Sequence, residues 1–489
     1  MKLHTFKGGI HPREMKELSE KCPITPCMPK SKTVTIPVTM GGAPNTPLVN
    51  VGDQVAKGQI IANGDKFMNC PVHSSVAGTV KKITKCLVTG GQEVPCILIQ
   101  ADEERAQETA YMEVLDPFTC EVEEALKRVR DAGIVGMGGA SFPCHVKLNV
   151  PKDKEVSYVL VNAAECEPYL TCDQRTMEET PEKVVDGLAI VLRLTGARGI
   201  IALEDNKKYL KPILEEEIYK QGYADDMSVF LVKTKYPQGS EKFIVSACLN
   251  VEIPSGKLPA DAGAVICNVG TVCAISEAFR LGKPLIERTL TISGGAVSKP
   301  CNIRVPVGTL ISDLVPEVFE VSDSCAKIIS GGPMMGFSMA SYDFPVQKGT
   351  SGVTFLTEKE TTILEEDPCI SCGSCVKTCA MRLSPVLIKR ELEAGNIEKA
   401  KRFGLMDCIE CGCCAFICPS HVKLVQRIRQ GKVLVRAQMA AERAKKEAEA
   451  RAAQSKAAQV QGAEAQTAGK SPAESQTGSA AAVKKEEAK

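Results

Sequence analysis

The sequence predicts a multidomain α/β protein with a separate cysteine-rich helical domain and a charged tail. Three observations carry that prediction. The length, 489 residues, suffices for about three or four domains, each with its own core. Hydrophobic residues make up 44% and charged residues 24%, close to globular averages, which excludes wholesale disorder. The texture also changes along the chain: short alternating runs over 1–120, helix and strand signals in alternation over 121–285, strands over 286–355, cysteine motifs with helical spacers over 356–435, and an Ala, Glu and Lys-rich tail over 436–489.

Residues 1–120 read as a β barrel-sandwich domain with strands expected at 33–38, 47–51 and 78–83. The stretch 48–61 pairs with 72–83 as the two halves of the barrel, a pattern that resembles biotinyl and lipoyl domains. Those domains carry a modified lysine at a hairpin tip. Lys66 is the candidate here, but it lies closer to Gly58-Gln59 than theirs does, and a barrel without an attached group is the simpler expectation. In the Rossmann-like α/β domain, helices are expected at 120–132, 181–194 and 208–219, and strands at 156–161, 199–202 and 229–232. Strands at 289–292 and 303–307, with Gly308-Thr309 opening a short helix, define a β-grasp module of SLBB-like kind. Spacer helices are expected at 386–393 and 397–403. In the tail, 438–456 has the composition of a solvated helix, and the rest is too polar to fold, leaving a disordered or helical extension.

Composition excludes several function classes. Sixty basic residues against 59 acidic ones leave a net charge of +1, without the bias of a nucleic-acid binder. Trp is absent and aromatics are 4%, too few for a stacking groove. No run of 18 apolar residues predicts a membrane span, and residues 1–10 lack the apolar core of a signal peptide.

Cysteine is the informative residue. Nine of the 23 cysteines fall between Cys369 and Cys418. An odd total without an export signal argues for reduced thiols that bind metal rather than for a disulfide framework. The scattered ones, among them Cys22, Cys27, Cys86, Cys96, Cys248, Cys267 and Cys301, read as buried thiols. The rest form two quartets, Cys369-x2-Cys372-x2-Cys375-x3-Cys379 and Cys408-x2-Cys411-x2-Cys414-x3-Cys418-Pro419. This is ferredoxin spacing for two 4Fe-4S clusters: three close thiolates wrap one face of a cubane and the fourth arrives from the other motif. Cys369, Cys372, Cys375 and Cys418 are assigned to one cluster, and Cys408, Cys411, Cys414 and Cys379 to the other. Zinc is the alternative, but structural zinc sites use two separated pairs. Cys413 is a spare thiol, and Ala380 stands where the second motif has Pro419. Lys377, Arg382, Lys389 and Arg390 lie near the anionic clusters, as tuning charges or as a solvated basic face. The five histidines form no ligand cluster, and Cys70-x2-His73 reads as barrel packing.

The loop 133–143, Gly-Ile-Val-Gly-Met-Gly-Gly-Ala-Ser-Phe-Pro, follows a helix and lets the backbone bend its N–H groups toward a phosphate. It is not a dinucleotide fingerprint, since Ser141 occupies the third glycine position, and a structural turn is the alternative. The strand at 156–161 runs into Asn162-Ala163-Ala164-Glu165-Cys166-Glu167-Pro168, which sets polar groups at a strand's C-terminal end, where α/β folds bind ligands.

This loop, the segment from Asn162 to Asp173, the Tyr236-Pro237-Gln238-Gly239-Ser240-Glu241 turn and Asn268-Val269 resemble, in the same order, the FMN and NADH site of the flavoprotein subunit of respiratory complex I. With Lys7-Gly8-Gly9-Ile10-His11-Pro12, the barrel and the two quartets, the chain to about residue 435 resembles the RnfC family, the electron-input subunits of the Rnf complex, a membrane-bound, ion-translocating ferredoxin:NAD oxidoreductase. The resemblance implies non-covalent FMN, with Gly136, Gly138, Gly139, Lys147 and Asn268 on its phosphate and ribityl chain and Asn162, Glu165 and Tyr236 on its ring. It implies NAD(H) as substrate, facing Phe142, Glu167 and Glu241. Met137 and Ala164 depart from a cation and an acid of the complex I flavoprotein, and Ser255 and Leu258 replace a lysine and an aromatic near the adenine, so the nucleotide site is the less secure part. Catalysis by a general base is not expected.

The implied protein is an oxidoreductase and translocase subunit. It passes electrons between NAD(H), FMN and two 4Fe-4S clusters as a peripheral subunit on the cytoplasmic face of the cell membrane, while integral-membrane and ferredoxin-like partner subunits move Na+ or H+. Two alternatives stay open: a soluble reductase of the same modules serving corrinoid or amino-acid reductases, and a non-enzymatic iron–sulfur scaffold with an empty α/β pocket.

Overall fold

A computed structural model describes residues 3–467 except 152 and 363, and for 452–467 the backbone alone. At its centre is a parallel four-stranded sheet in the spatial order Met227–Val232, Arg198–Glu204, Tyr158–Ala163, Ala264–Asn268. The chain winds outward through the first three strands and then returns to the other side of Tyr158–Ala163. That reversal is the topological switch point at which such sheets bind ligands. Asn162 and Asn268 are register partners there.

The helices on this sheet follow from local chemistry. Pro181 opens helix Pro181–Thr195 at a position where no N–H is needed, and Gly196 closes it at φ 67° with its N–H on the Leu192 carbonyl, 2.8 Å away. Between these stops Val184, Val185, Leu188, Val191 and Leu192 are buried, and full burial of each such side chain contributes roughly 1.5–3 kcal/mol. Gly187 permits the closest approach of the layer: a Cβ there would lie 1.9 Å from the Val272 carbonyl oxygen of helix Val269–Arg280. The strand and helix expectations for this domain hold to within about two residues.

The barrel consists of a four-stranded sheet, in which Gln54–Val55 pairs with Gly78–Val88, and a three-stranded sheet, in which Ile60–Asn63 pairs with Val72–His73. This is the pairing of 48–61 with 72–83 that the sequence suggests. The strand expected at 47–51 shrinks to Thr46–Pro47. Exposed Lys66 lies in the loop between Ile60–Asn63 and Val72–His73, where its backbone N–H donates to Asn69 Oδ1 at 2.7 Å. Residues before 33 leave the barrel. Ile24–Pro26 adds a strand to the six-stranded sheet of the β-grasp module, beside Cys301–Pro306. Upstream, Phe6 stacks on Phe243 at 4.5 Å, and Ile10 bridges to Tyr236.

The reading of the scattered cysteines fails in part. Cys86 and Cys96, read as free thiols, are joined in a disulfide across the hairpin of Gly78–Val88 and Gln92–Ala101. The hairpin brings two positions ten residues apart to a Cα separation of 6.2 Å, within disulfide reach, and no motif announces that register. Cys22, Cys27 and Cys301 are half-buried, whereas Cys248 and Cys267 are buried as expected. In the tail, the helix expected at 438–456 is part of a longer one, Leu424–Thr467. Within the described residues, 429–467 form a compact unit of their own, and 468–489 lie outside the described residues. Among the described residues no helix is long and apolar enough to cross a membrane.

Gly187→Ala should destabilise the chain by about 1–3 kcal/mol, because the added methyl meets backbone rather than a movable side chain. Chemical denaturation followed by circular dichroism measures the loss.

Candidate functional site

The glycine loop closes on itself, with the Gly136 N–H donating to the Phe142 carbonyl at 2.8 Å and Val135 bridging Pro143. Gly138 backs onto Asn268, whose Cβ would lie 3.7 Å from a Cβ at that position. Gly139 adopts φ +109°, and nothing stands within 4 Å of where its Cβ would be, so the loop opens onto free space there. Asn268 caps helix Val269–Arg280, its Oδ1 accepting from Gly270 N at 2.9 Å while its Nδ2 donates to Asp173 at 2.6 Å. Asn162 ties the first strand's end to the Tyr236 turn by donating to the Gly239 carbonyl at 2.7 Å.

The carboxylates at the strand ends have settled partners. Glu165 accepts from Asp173 N at 2.9 Å and so caps the start of helix Cys172–Glu179, with Lys16 Nζ 3.8 Å away. Half-buried Glu167 accepts from Met334 N and Met335 N at 3.1 and 2.8 Å; desolvation outweighs these bonds and pushes its carboxyl up to about 7. Burial, and then the charge of Glu165, raise Asp173 to about 6. Lys147 and Glu241, expected on different ligands, are paired with each other at 2.7 Å. Lys147 also donates to the Ile266 carbonyl at 3.0 Å. Burial acts to lower its ammonium, and Glu241 overcomes that and holds it above its usual value. Phe142 is partly exposed.

Tyr236 is 1% exposed, and its hydroxyl has no partner; both amide atoms of buried Gln238 are equally unpartnered. Orphaned buried polar atoms are rare in folded proteins. Such atoms, with the open glycine loop at the other end of the strand-end site, are what a polar ring system and its phosphate would satisfy, so the residues fit a flavin nucleotide.

The cysteine motifs fold through short helices, Ser374–Thr378, Pro385–Glu393, Ile397–Arg402 and Cys413–Phe416. Cys379, Cys408, Cys411 and Cys414 line one hollow whose other walls are apolar, among them Met381, Leu383, Ile388 and Ile409. Backbone N–H groups of Leu383 and Glu410 point at the Cys379 and Cys408 sulfurs, each at 3.4 Å, a contact that raises cluster potentials. Cys375 and Cys418 pack with Val422, Leu424 and Cys414. Burial and, more weakly, the neighbouring Cys369 and Cys418 push the Cys375 thiol up. Cys369 and Cys372 are exposed. Among the described residues no three His, Cys, Asp or Glu side chains converge as on a single metal ion; the thiols surround a space. Dry walls, thiolate donors and N–H groups aimed at sulfur fit an iron–sulfur cubane. Cys413 is buried against Tyr236, with its Sγ 3.9 Å from that carbonyl. Of the nearby cations, Arg382 pairs with Glu252 and Lys389 with Glu393.

The sequence reading missed several residues. Lys16 is buried, its ammonium donating to the carbonyls of Glu167 and Leu170. Nothing around it in the sequence announced this. The loop from Gly331 to Gly336, which holds Glu167, lies in a module read as structural. Arg288 is 3% exposed. Its signal was available, since it shares strand parity with buried Leu290 and Ile292.

The fold and site define an iron–sulfur flavoprotein, a converter between electron pairs and single electrons. Comparison with known proteins agrees part by part. Residues 4–104 match the RnfC barrel sandwich hybrid domain, 129–277 the Nuo51 FMN-binding domain and 361–419 a 4Fe-4S dicluster domain. The C-subunit of the proton-translocating ferredoxin:NAD(+) oxidoreductase complex of Clostridium ljungdahlii is 41% identical over 91% of this chain and 96% of its own length. Its counterpart in the Na(+)-translocating ferredoxin:NAD(+) oxidoreductase complex of Acetobacterium woodii is 39% identical over 83% and 91%. The counterpart in the ion-translocating oxidoreductase complex of Rhodobacter capsulatus is 37% identical over 82% and 78%. The chain belongs to the RnfC family of Rnf-complex proteins. A solved NAD+-reducing [NiFe]-hydrogenase in the H2-reduced state is 19% identical, covering 64% of this chain and 61% of that one at a TM-score of 0.46.

Glu167 generates a test. Its folded-state carboxyl sits above its ordinary range, near 7, so the folded chain binds the extra proton between roughly pH 4.5 and 7, and stability falls as pH rises through that window. Glu167→Gln should flatten that part of the profile of melting temperature against pH.

Proposed function

We propose that the chain is the peripheral electron-transfer subunit of an Rnf-type, ion-translocating ferredoxin:NAD oxidoreductase complex. In this reading NAD(H) exchanges electrons with FMN at the switch point, and two 4Fe-4S clusters carry them onward. Bound FMN takes a hydride as an electron pair and releases electrons singly, which is the form iron–sulfur clusters accept. The observation that carries the reading is the Tyr236 turn. It is bonded to the flavin-side strand through Asn162 and Gly239, and Tyr236 packs in one cluster with Cys166, Met334, Cys411 and Cys413.

From this contact, the hollow of Cys379, Cys408, Cys411 and Cys414 holds the inner cluster, next to the flavin domain. The set Cys369, Cys372, Cys375 and Cys418 holds the outer one, with Cys369, Cys372 and Ile370 exposed toward a partner. Gly136, Gly138, Gly139, Lys147 and Asn268 hold the phosphate end. Lys147 does so with Glu241 as its resting partner. Asn162, Glu165 and Tyr236 shape the ring's surroundings, Glu165 by fixing helix Cys172–Glu179 in place. Phe142, Glu167 and Glu241 border the nucleotide. The domains run as 1–120, 121–285, 286–355, 356–435 and 436–489, with the first 32 residues serving as a strap over the later modules. The protein sits on the cytoplasmic face of the membrane and is held there by integral-membrane partners.

Full-length chain purified without oxygen should contain FMN and about eight irons, and its cluster absorbance should bleach on adding NADH. Iron without flavin, together with no response to NADH, would support the scaffold alternative. In Cys411→Ser, NADH reduction of the outer cluster should slow; in Cys372→Ser, reduction of the inner cluster should keep its rate. Rapid freeze-quench EPR distinguishes the two.

A further inference from the structure

An FMN phosphate brings about −1.5 to −2 charges into the cradle. The N-terminus of helix Val269–Arg280 offers the equivalent of about +0.5. Lys147, the obvious cation, is already neutralised by Glu241 at 2.7 Å. The site is therefore short of positive charge unless another group supplies it.

Arg288 is placed to do so. It projects from strand Glu287–Ser293 of the β-grasp sheet and is buried to 3% exposure beneath the glycine loop. Its Nη2 donates to the carbonyl of Met137, inside the loop, at 3.1 Å, and its Nε donates to the Thr350 carbonyl at 2.7 Å. Its Nη1 would stand 3.0 Å from a Cβ on Gly270, in the first turn of helix Val269–Arg280. Among the described residues no carboxylate lies within 4 Å of this guanidinium. Its charge is felt by buried Asp173, whose carboxylate is held by Asn268. A buried cation without an ion pair is costly and calls for a counter-charge. The loop it bonds at Met137, open beside Gly139, takes an anion.

We propose that Arg288 is the cation that holds the phosphate charge of the flavin nucleotide, acting from the β-grasp module through the floor of the glycine loop. It is a positioning residue that makes the site select FMN over a flavin without phosphate. The proposal rests on the FMN reading above and deepens it. It also assigns the β-grasp module a part in cofactor selection, through the bond from Arg288 to Met137.

The test is a titration of full-length, cluster-loaded, flavin-depleted protein with FMN and, separately, with riboflavin, followed by flavin fluorescence. The unmodified chain should favour FMN strongly. Arg288→Gln should lose about ten- to a hundredfold of FMN affinity while riboflavin affinity stays unchanged, and Arg288→Lys should keep part of the preference. Equal losses for both flavins would make Arg288 a prop for the loop and overturn the proposal, as would no loss for either. If Arg288→Gln does not fold, judged by iron content and circular dichroism, Arg288→Lys decides: an FMN-to-riboflavin preference equal to that of the unmodified chain overturns the proposal, and a reduced one supports it. Should the unmodified chain bind neither flavin, the FMN reading itself falls, a result distinct from a site that binds both alike.

Discussion

Three thiolates on a short loop can cover only one face of a cubane, so each motif needs a fourth thiolate from elsewhere. Here Cys379 leaves its own motif and lines the hollow of Cys408, Cys411 and Cys414, while Cys418 packs beside Cys375. The helical spacer Pro385–Glu393 and Ile397–Arg402 joins the two motifs, and the proposed exchange would cross it in both directions. The same crossing sets the second motif against the Tyr236 turn. Cluster geometry and contact with the flavin domain are therefore one constraint, and a change in the path of either motif alters both.

The flavin side is built on the same economy. The sheet's reversal brings Asn162 and Asn268 into register, and each asparagine then spends its amide on fixing a neighbour rather than on the ligand alone. Asn268 caps a helix and holds Asp173; Asn162 holds the turn. The carboxylates behave alike, Glu165 capping the start of a helix and Glu167 gripping the Met334 and Met335 amides. What remains for the ligand is backbone, open space beside Gly139 and a few orphaned polar atoms. Rigid partners around a polar cavity preorganise it.

Much of this was legible in the sequence, and the reasons are physical. Cluster ligands obey a spacing rule set by the cubane, so eight cysteines stand out from 23. Helix and strand periodicity recovered three strands of the central sheet, because strands buried on both faces and amphipathic helices leave strong signals; the fourth, Ala264–Asn268, was not expected. The losses are long-range. Cys86 and Cys96 pair through hairpin register, which only the folded chain fixes. Lys16 reaches the Glu167 and Leu170 carbonyls from a segment with no periodicity. Lys147 and Glu241 were read as facing different ligands because nothing local shows that their elements bring them together. Arg288 was the one miss with a local sign, a charge on the buried parity of a strand.

The central claim is that thiolates are exchanged between the two motifs, and Cys379→Ser tests it most directly. EPR spectra of the reduced protein should show that this substitution perturbs the cluster also perturbed by Cys408→Ser, leaving intact the one perturbed by Cys369→Ser. If Cys379→Ser instead perturbs the Cys369 cluster and spares that of Cys408, each motif serves its own cluster, and the account is contradicted.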